Sequence, residues 1–433
     1  MSAIRTNYMR IHLAAQFLES FSEASPNNYY MFLGKTSEWP SEPTADVPVS
    51  TFEQDDRAHW NDMLGGEQIT ANEVTHAIPR VDWTTGTVYA EYDDQDAALF
   101  SKEFYVLTDE SNVYLCVDNG GGAQSTIKPT GTGTTIFTTT DDYRWKYLWT
   151  MTVLESTTYL TTAWMPVKFL DADDGSNQWD VQVAAVDGAI AQIQIVDGGS
   201  GYTVAPDIDI VGDGVGATAT AVINGGEVTD VLITAQGSGY HRATAIVSGG
   251  DGVGADVRVV HSPKGGHGAN PVLELGAYYI LMNVQFSQDE TGTLPTDNDF
   301  RKIGILKDPT DYGTATPATA SNFNQTTRVQ LEAGFSGTFL VDEVATGLTS
   351  GTTAQVVDWD SVNRILYLNE LEGTGFEDGE IVQTASGSGT VSTSGVTSPD
   401  LEPGSGQVIY IDQRAAIGRA VDQTETIKTI FEF

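Results

Sequence analysis

Near the start of the chain Met9, Leu13, Phe17 and Phe21 recur every four residues, with Ala14 and Leu18 beside them, a spacing that predicts one apolar stripe on a docked helix. After the polar run SEASPNN, the segment YYMFLGKTSEWP reads as a buried strand and a Pro-marked turn, and a second helical stretch is expected within residues 51–64. Residues 104–117 read as two strands around a polar turn supplied by Asp109, Ser111 and Asn112, which is a hairpin. Residues 143–153 are a further aromatic-rich strand whose two apolar faces predict burial on both sides.

The middle of the chain repeats itself. Gly199-Ser200-Gly201-Tyr202 returns as Gly237-Ser238-Gly239-Tyr240, and the run from Gly212 to Ala217 returns from Gly250 to Ala255, both at an offset of 38 residues. A period-two strand precedes each GSGY, with Ile193 and Ile195 in one copy and Val231 and Ile233 in the other, and Ile208 corresponds to Ile246 beyond it. Each copy is therefore expected to be a few strands stitched by glycine turns. A looser duplication starts at Phe339 and Phe376, sharing Phe, Glu and Ser-Gly landmarks at spacings of 36 to 38. Between these, RILYLNEL is a strand candidate, and residues 386–406 are expected to form an exposed connector because of their Ser/Gly composition.

Composition agrees with many short strands: 45 Gly and only 18% charged residues in 433 favour a mainly β protein over long surface helices. A net charge of −38 repels nucleic acid and anionic membranes, so neither is expected as a partner. The lone Cys116 cannot form a disulfide within the chain, and six scattered His offer no zinc spacing. No secretory leader pattern or membrane-length apolar run is read, so the chain is expected to be made and kept in a cytoplasm.

The glycine runs GDGVGA resemble fragments of phosphate loops or of a calcium nonapeptide, but neither carries its remaining residues, so turn-forming glycine is the expected role. Pairs such as Asp141 with Asp142, or Asp171 with Asp173, could be drafted as a glycosidase acid and base, yet 59 carboxylates produce such pairs by chance. His59, His76 and His241 have no neighbouring nucleophile motif, and Cys116 sits within a strand as a small core residue. No catalytic residue, cofactor or metal is expected.

The less repetitive segments, taken together, resemble the dimeric wedge protein family of T-even-type phage baseplates. The ending carries the most specific likeness: Ala420, then Asp422, Gln423, Thr424 and Glu425, then Ile427, Phe431 and Phe433. Ile78, Pro79, Arg80, Asp82 and Trp83 look like the family's segment after its first helical region, and Tyr143, Trp145, Tyr147 and Leu148 like its aromatic strand. Phe300, Arg301, Ile303 and Pro309 look like a late strand and turn, and Gly34 and Trp39 also fall into place. The likeness covers residues 1–170, 266–312 and 400–433, and the repeats lie outside it.

The resulting expectation is a multi-layer β-sheet framework with a few helices, formed by residues 1–170, 266–330 and 398–433, with glycine-rich β-repeat inserts at 171–265 and 331–397. The resemblance implies a virion protein of the tail baseplate, assembled in the host cytoplasm, homodimeric, bound to other wedge proteins and without enzymatic activity. Its ending is expected to bury one face, with Ile427, Phe431 and Phe433 inward and Thr426, Lys428 and Glu432 outward. The repeats alone would favour a carbohydrate-binding adhesin, and a glycan-degrading enzyme is the second rival.

Overall fold

The structure is a computed structural model that describes residues 4–23, 27–49, 54–286, 294–420 and 423–433. The protein is mainly β, with 46% of its residues in strands against 11% in helices, arranged in several sheets. The chain divides into two compact units, one of Met1–Gln16, Thr75–Leu281 and Ile430–Phe433, the other of Phe17–Val74 and Met282–Thr429.

The first helix spans Asn7–Glu19, but its stripe differs from the expected one. Ile11 and Ala14 are the fully buried positions, Met9 is 47% exposed, and Leu13 and Phe17 are half-buried. Each four-residue step overshoots a full turn by roughly 40° at 3.6 residues per turn, so a series of such steps winds around the helix instead of staying on one side. The second helix, Gln54–Asp62, lies within the expected stretch.

In the first unit, the predicted hairpin forms from Tyr105–Leu107 and Asn112–Asp118, with Ser111 at φ 62° in its turn. Arg144–Thr150 pairs along its second strand, and the alternation of side chains feeds two cores. Val113, Leu115 and Val117 enter one cluster with Leu148 and Trp149, whereas Tyr114 and Cys116 enter another with Tyr143, Trp145 and Tyr147. Cys116 is a buried core residue, and burial pushes its thiol pKa up.

The tandem duplication forms six strands: β1 (Ile190–Ser200), β2 (Asp207–Gly212), β3 (Val215–Asn224), β4 (Glu227–Ser238), β5 (Ala243–Ser248) and β6 (Val253–His261). The two copies do not fold side by side. They interlock antiparallel, β1 with β6, β2 with β5 and β3 with β4. The registers repeat the 38-residue offset: Val253 faces Ser200 as Val215 faces Ser238, and Ala255 faces Gly198 as Ala217 faces Gln236. Ile193 and Val231 are buried as expected, with Ile195 and Ile233 partly buried around the same core. Ile208 and Ile246 hold equivalent places in the pairing of β2 with β5, but not equivalent burial. Ile208 is buried opposite Val247, and Ile246 lies opposite Asp209, the same pairing shifted by 38 residues, yet is 49% exposed, because these two pairs are adjacent rungs of one ladder and successive rungs point to opposite faces.

In the second unit, five strands run in the order Asn322–Asn324, Met63–Ile69, Tyr29–Gly34, Asn298–Lys307, Gln407–Arg419. The expected strand Tyr29–Gly34 is central and buried throughout. Beside this sheet in sequence come β7 (Thr327–Leu331), β8 (Val344–Gly347), β9 (Thr353–Asp360), β10 (Ile365–Glu372), β11 (Ile381–Gln383) and β12 (Gly387–Thr397). Their order is β7-β10-β9-β8-β11-β12, and β12 pairs back onto β7, closing a six-stranded ring around Val329, Val356, Leu366, Val382 and Val391. The looser duplication is the pair of hairpins β8–β9 and β11–β12, joined where Thr346 faces Gln383.

The expected connector at 386–406 is largely overturned. Its first half is β12, where Gly387, Gly389 and Val391 alternate inward, and a Cβ at Gly389 would come within 2.7 Å of Leu331. Small residues there reflect close packing, which composition cannot separate from a flexible linker.

Candidate functional site

The residues singled out by resemblance occupy three places. The first is the aromatic strand. Tyr143 and Trp145 stack with ring centroids 5.3 Å apart, the Tyr143 hydroxyl donates to the Ala123 carbonyl at 2.6 Å, and the Tyr147 hydroxyl meets Thr150 Oγ1 at 2.8 Å. All three rings are buried, so they build the core and do not face a partner.

The second place follows the strand Val74–Pro79, whose Ile78 is fully buried and whose Pro79 is exposed. Arg80 Nε donates to Asp82 Oδ1 at 2.8 Å and Nη1 to the Thr161 carbonyl at 2.9 Å, pinning the segment to a neighbouring loop. Trp83 Nε1 donates to Ser125 Oγ at 3.0 Å. Arg80, Asp82 and Trp83 also line one side of a shallow depression of about 280 Å³.

The third place is the ending. Asp422 lies outside the described residues. Gln423 Oε1 accepts from the Ala420 backbone N–H at 3.3 Å, and Thr424 is exposed. Arg419 Nε donates to Glu425 at 2.8 Å within a buried pair. The expected one-sided burial does not hold: Glu425 and Thr429 are the buried residues, whereas Ile427, Phe431 and Phe433 are half-exposed in the isolated chain. Ile430, on the supposed outer face, packs with Ala77, Tyr159 and Leu281. Lys428 is half-buried, and that burial lowers its pKa. The last residue is held by backbone and charge: Phe433 N–H donates to the Tyr278 carbonyl at 3.1 Å, Arg10 Nε donates to the Phe433 carbonyl at 2.6 Å, and the Arg10 guanidinium sits 3.4 Å above the Tyr278 ring.

The groups weighed for catalysis have structural partners. Asp141 accepts from the backbone N–H of Thr126 at 2.6 Å and Ile127 at 2.8 Å; burial opposes ionisation, but the Thr139 hydroxyl and these N–H donors hold its pKa below the ordinary range. Asp142 sits at φ 64° in the same turn, and Asp173 accepts from the Gly175 N–H at 2.8 Å. His76 is buried with Nδ1 2.9 Å from the Ala277 carbonyl, and burial lowers its pKa to about 4. His59 is buried, and His241 is exposed. The two GDGVGA runs are packing surfaces: Gly252 lies against Tyr202, and Gly214 against Tyr240.

Sequence reasoning missed a polar cleft of about 830 Å³ in the first unit, formed where β1, β3 and β4 face the aromatic sheet. Its lining includes Glu91, Asp118, Asp142, Arg144, Gln192 and Asp230. Glu91 is gripped by Gln194 Nε2 at 2.6 Å and Gln192 Nε2 at 3.1 Å; burial and the Asp118 charge raise its pKa. Burial raises that of Asp230 too, with Asp118 and Asp142 adding to it. These residues are distant in sequence and belong to no motif, so no linear signal marks them.

Among the described residues, no group of three His, Cys, Asp or Glu is placed to hold a metal ion, and no helix is long and apolar enough to cross a membrane. Scans against protein-family models and curated proteins returned no match for the chain.

Proposed function

We propose that the chain is a structural component of a contractile phage tail baseplate wedge, which dimerises and binds neighbouring wedge proteins during tail assembly. The observation that carries this reading is the ordered likeness of residues 1–170, 266–312 and 400–433 to the wedge family. The fold is compatible with it in one respect: the likeness falls on the aromatic sheet and on strands Tyr29–Gly34, Asn298–Lys307 and Gln407–Arg419, while the duplications build cores largely of their own, the tandem repeat joining the framework core only at its base through Ala191 and Val260. Insertions that fold around themselves can be added to a framework without rewriting it.

The half-exposed Ile427, Phe431 and Phe433, with the opening lined by Arg80, Asp82 and Trp83, are the proposed contact residues, since apolar side chains left partly in water gain most from a partner. Co-expression with neighbouring tail genes of the same phage, followed by native mass measurement and partner capture, tests this. A dimer retained with wedge neighbours is expected. A 46.4 kDa monomer that captures none of them overturns the reading.

A further inference from the structure

The cleft between the aromatic sheet and the interlocked repeats holds two buried polar atoms without a hydrogen-bond partner in the protein, and they are of opposite kinds. Gln192 is 6% exposed; its Nε2 donates to Glu91 at 3.1 Å, which leaves its Oε1 as an acceptor with no donor. Arg144, across the cleft, has its Nη1 3.9 Å from Asp118 Oδ2, beyond hydrogen-bond reach, and that nitrogen is a donor with no acceptor. Leaving a buried donor or acceptor unpaired is unfavourable, so such atoms point to something that fills the site.

A simple cation could answer Gln192 and the carboxylates but not Arg144, and an anion would meet Glu91, Asp118, Asp142 and Asp230. A hydroxyl both donates and accepts, and answers both kinds at once. The same walls carry Leu232, which is 45% exposed, and the partly buried Ile136, Ile195 and Ile233, aliphatic surface suited to the C–H faces of a sugar ring. The volume of about 830 Å³ lies in the usual range of small-molecule sites and accommodates a short oligosaccharide.

We propose that this cleft is a binding site for an uncharged oligosaccharide, held by hydroxyl hydrogen bonds to Gln192, Arg144 and the cleft carboxylates. The site does not depend on the baseplate reading. With no aromatic ring among its lining residues to stack on a sugar, binding is weak and is best read by a method suited to fast exchange.

The test is saturation-transfer NMR on the full-length protein with trimers of β-1,4-N-acetylglucosamine, α-1,4-glucose and α-1,6-mannose, and with sialyllactose and spermidine as charged probes. At least one neutral trimer is expected to give transfer and sialyllactose none. Thr229→Trp, an exposed lining position that can fill the cleft without disturbing the core, and Gln192→Leu should each weaken that signal at least tenfold while the melting temperature of Thr229→Trp stays unchanged. Transfer to no neutral trimer, transfer to spermidine alone, or binding undiminished in Thr229→Trp overturns the proposal. The first of these outcomes would mean that solvent alone satisfies Gln192 and Arg144.

Discussion

Tyr202 packs against Gly252 so closely that a Cβ added to the glycine would stand 2.4 Å from the tyrosine Cγ, and Tyr240 bears the same relationship to Gly214 at 2.3 Å. Each tyrosine comes from one copy of the duplication and each glycine from the other. The hydroxyls complete the exchange, accepting from the backbone N–H of Ala255 and Ala217, both at 3.3 Å. Gly252→Ala and Gly214→Ala should each destabilise the first unit by about 1–3 kcal/mol, the range for forced overpacking. Tyr202→Phe, losing only a hydrogen bond, should cost about 1 kcal/mol. Thermal melts that rank Tyr202→Phe as more damaging than Gly252→Ala would contradict this packing.

The base of the repeat module belongs to the framework core: Ala191 and Val260 are fully buried in one cluster with Leu115, Leu148 and Val167. Excision of residues 185–262 therefore removes framework contacts, and aggregation is expected. Cutting higher, between the paired residues Asp197 and Asp256, and closing the strands with an Asn-Gly turn keeps the stem. That shorter deletion should remain soluble with the circular dichroism of a folded β protein. Equal behaviour of the two deletions would show that the stem is not shared.

Two carboxylates of the six-stranded ring should respond to pH in opposite directions. Glu380 accepts from the N–H groups of Thr349 and Ser350, both at 3.1 Å, and of Glu377 at 2.6 Å. Burial raises its pKa, but these donors outweigh burial and hold it below the ordinary 4.5. A lowered folded-state pKa contributes stability above the unfolded value, lost as pH falls through the folded one. Glu380→Gln should cost about 1–3 kcal/mol at pH 7 by leaving N–H donors poorly matched, and should lose less stability than wild type on acidification below 4.5.

Asp358 carries the opposite sign. Burial, with the charges of Asp297 and Asp360, raises its pKa to about 6 from 3.8. Folding then favours the protonated form, so its contribution is greatest below 3.8 and is lost as pH rises to about 6. Asp358→Asn should remove that slope and leave stability at pH 7 unchanged or slightly higher. Denaturant midpoints across this interval give the answer, and a variant destabilised at pH 7 would show that the carboxylate is needed in its charged form.

At the ending, Arg10→Ala removes the hydrogen bond to Phe433 and the cation held over Tyr278. A loss of about 1–2 kcal/mol is expected, with Arg10→Lys recovering only part of it because an ammonium lacks the planar fork. Deleting residues 430–433 should cost more, since Ile430 leaves its packing with Ala77 and Leu281. Hydrogen exchange at Phe433 and Tyr278 that is unaltered in Arg10→Ala would argue that the clamp contributes nothing.

The sequence by itself determined the mainly β character, the buried strand Tyr29–Gly34, the hairpin around Ser111 and the two-faced strand Arg144–Thr150. These follow from period-two alternation and turn chemistry, which act between near neighbours. It also contained both duplications. Tertiary structure alone decided how the duplicated copies are used: β1 reaches across to β6 and β2 to β5, and β12 closes onto β7. Strand pairing is a hydrogen-bonded relation between backbones, identical for every residue, so a repeat offset does not say which partner a strand takes. The same blindness made residues 387–397 read as a connector and gave no sign that Ile208 faces inward and its repeat equivalent Ile246 outward, because adjacent rungs of a ladder point to opposite faces. The cleft holding Gln192 and Arg144 was decided in space for that reason too: its walls come from strands that only the interlocking brings face to face.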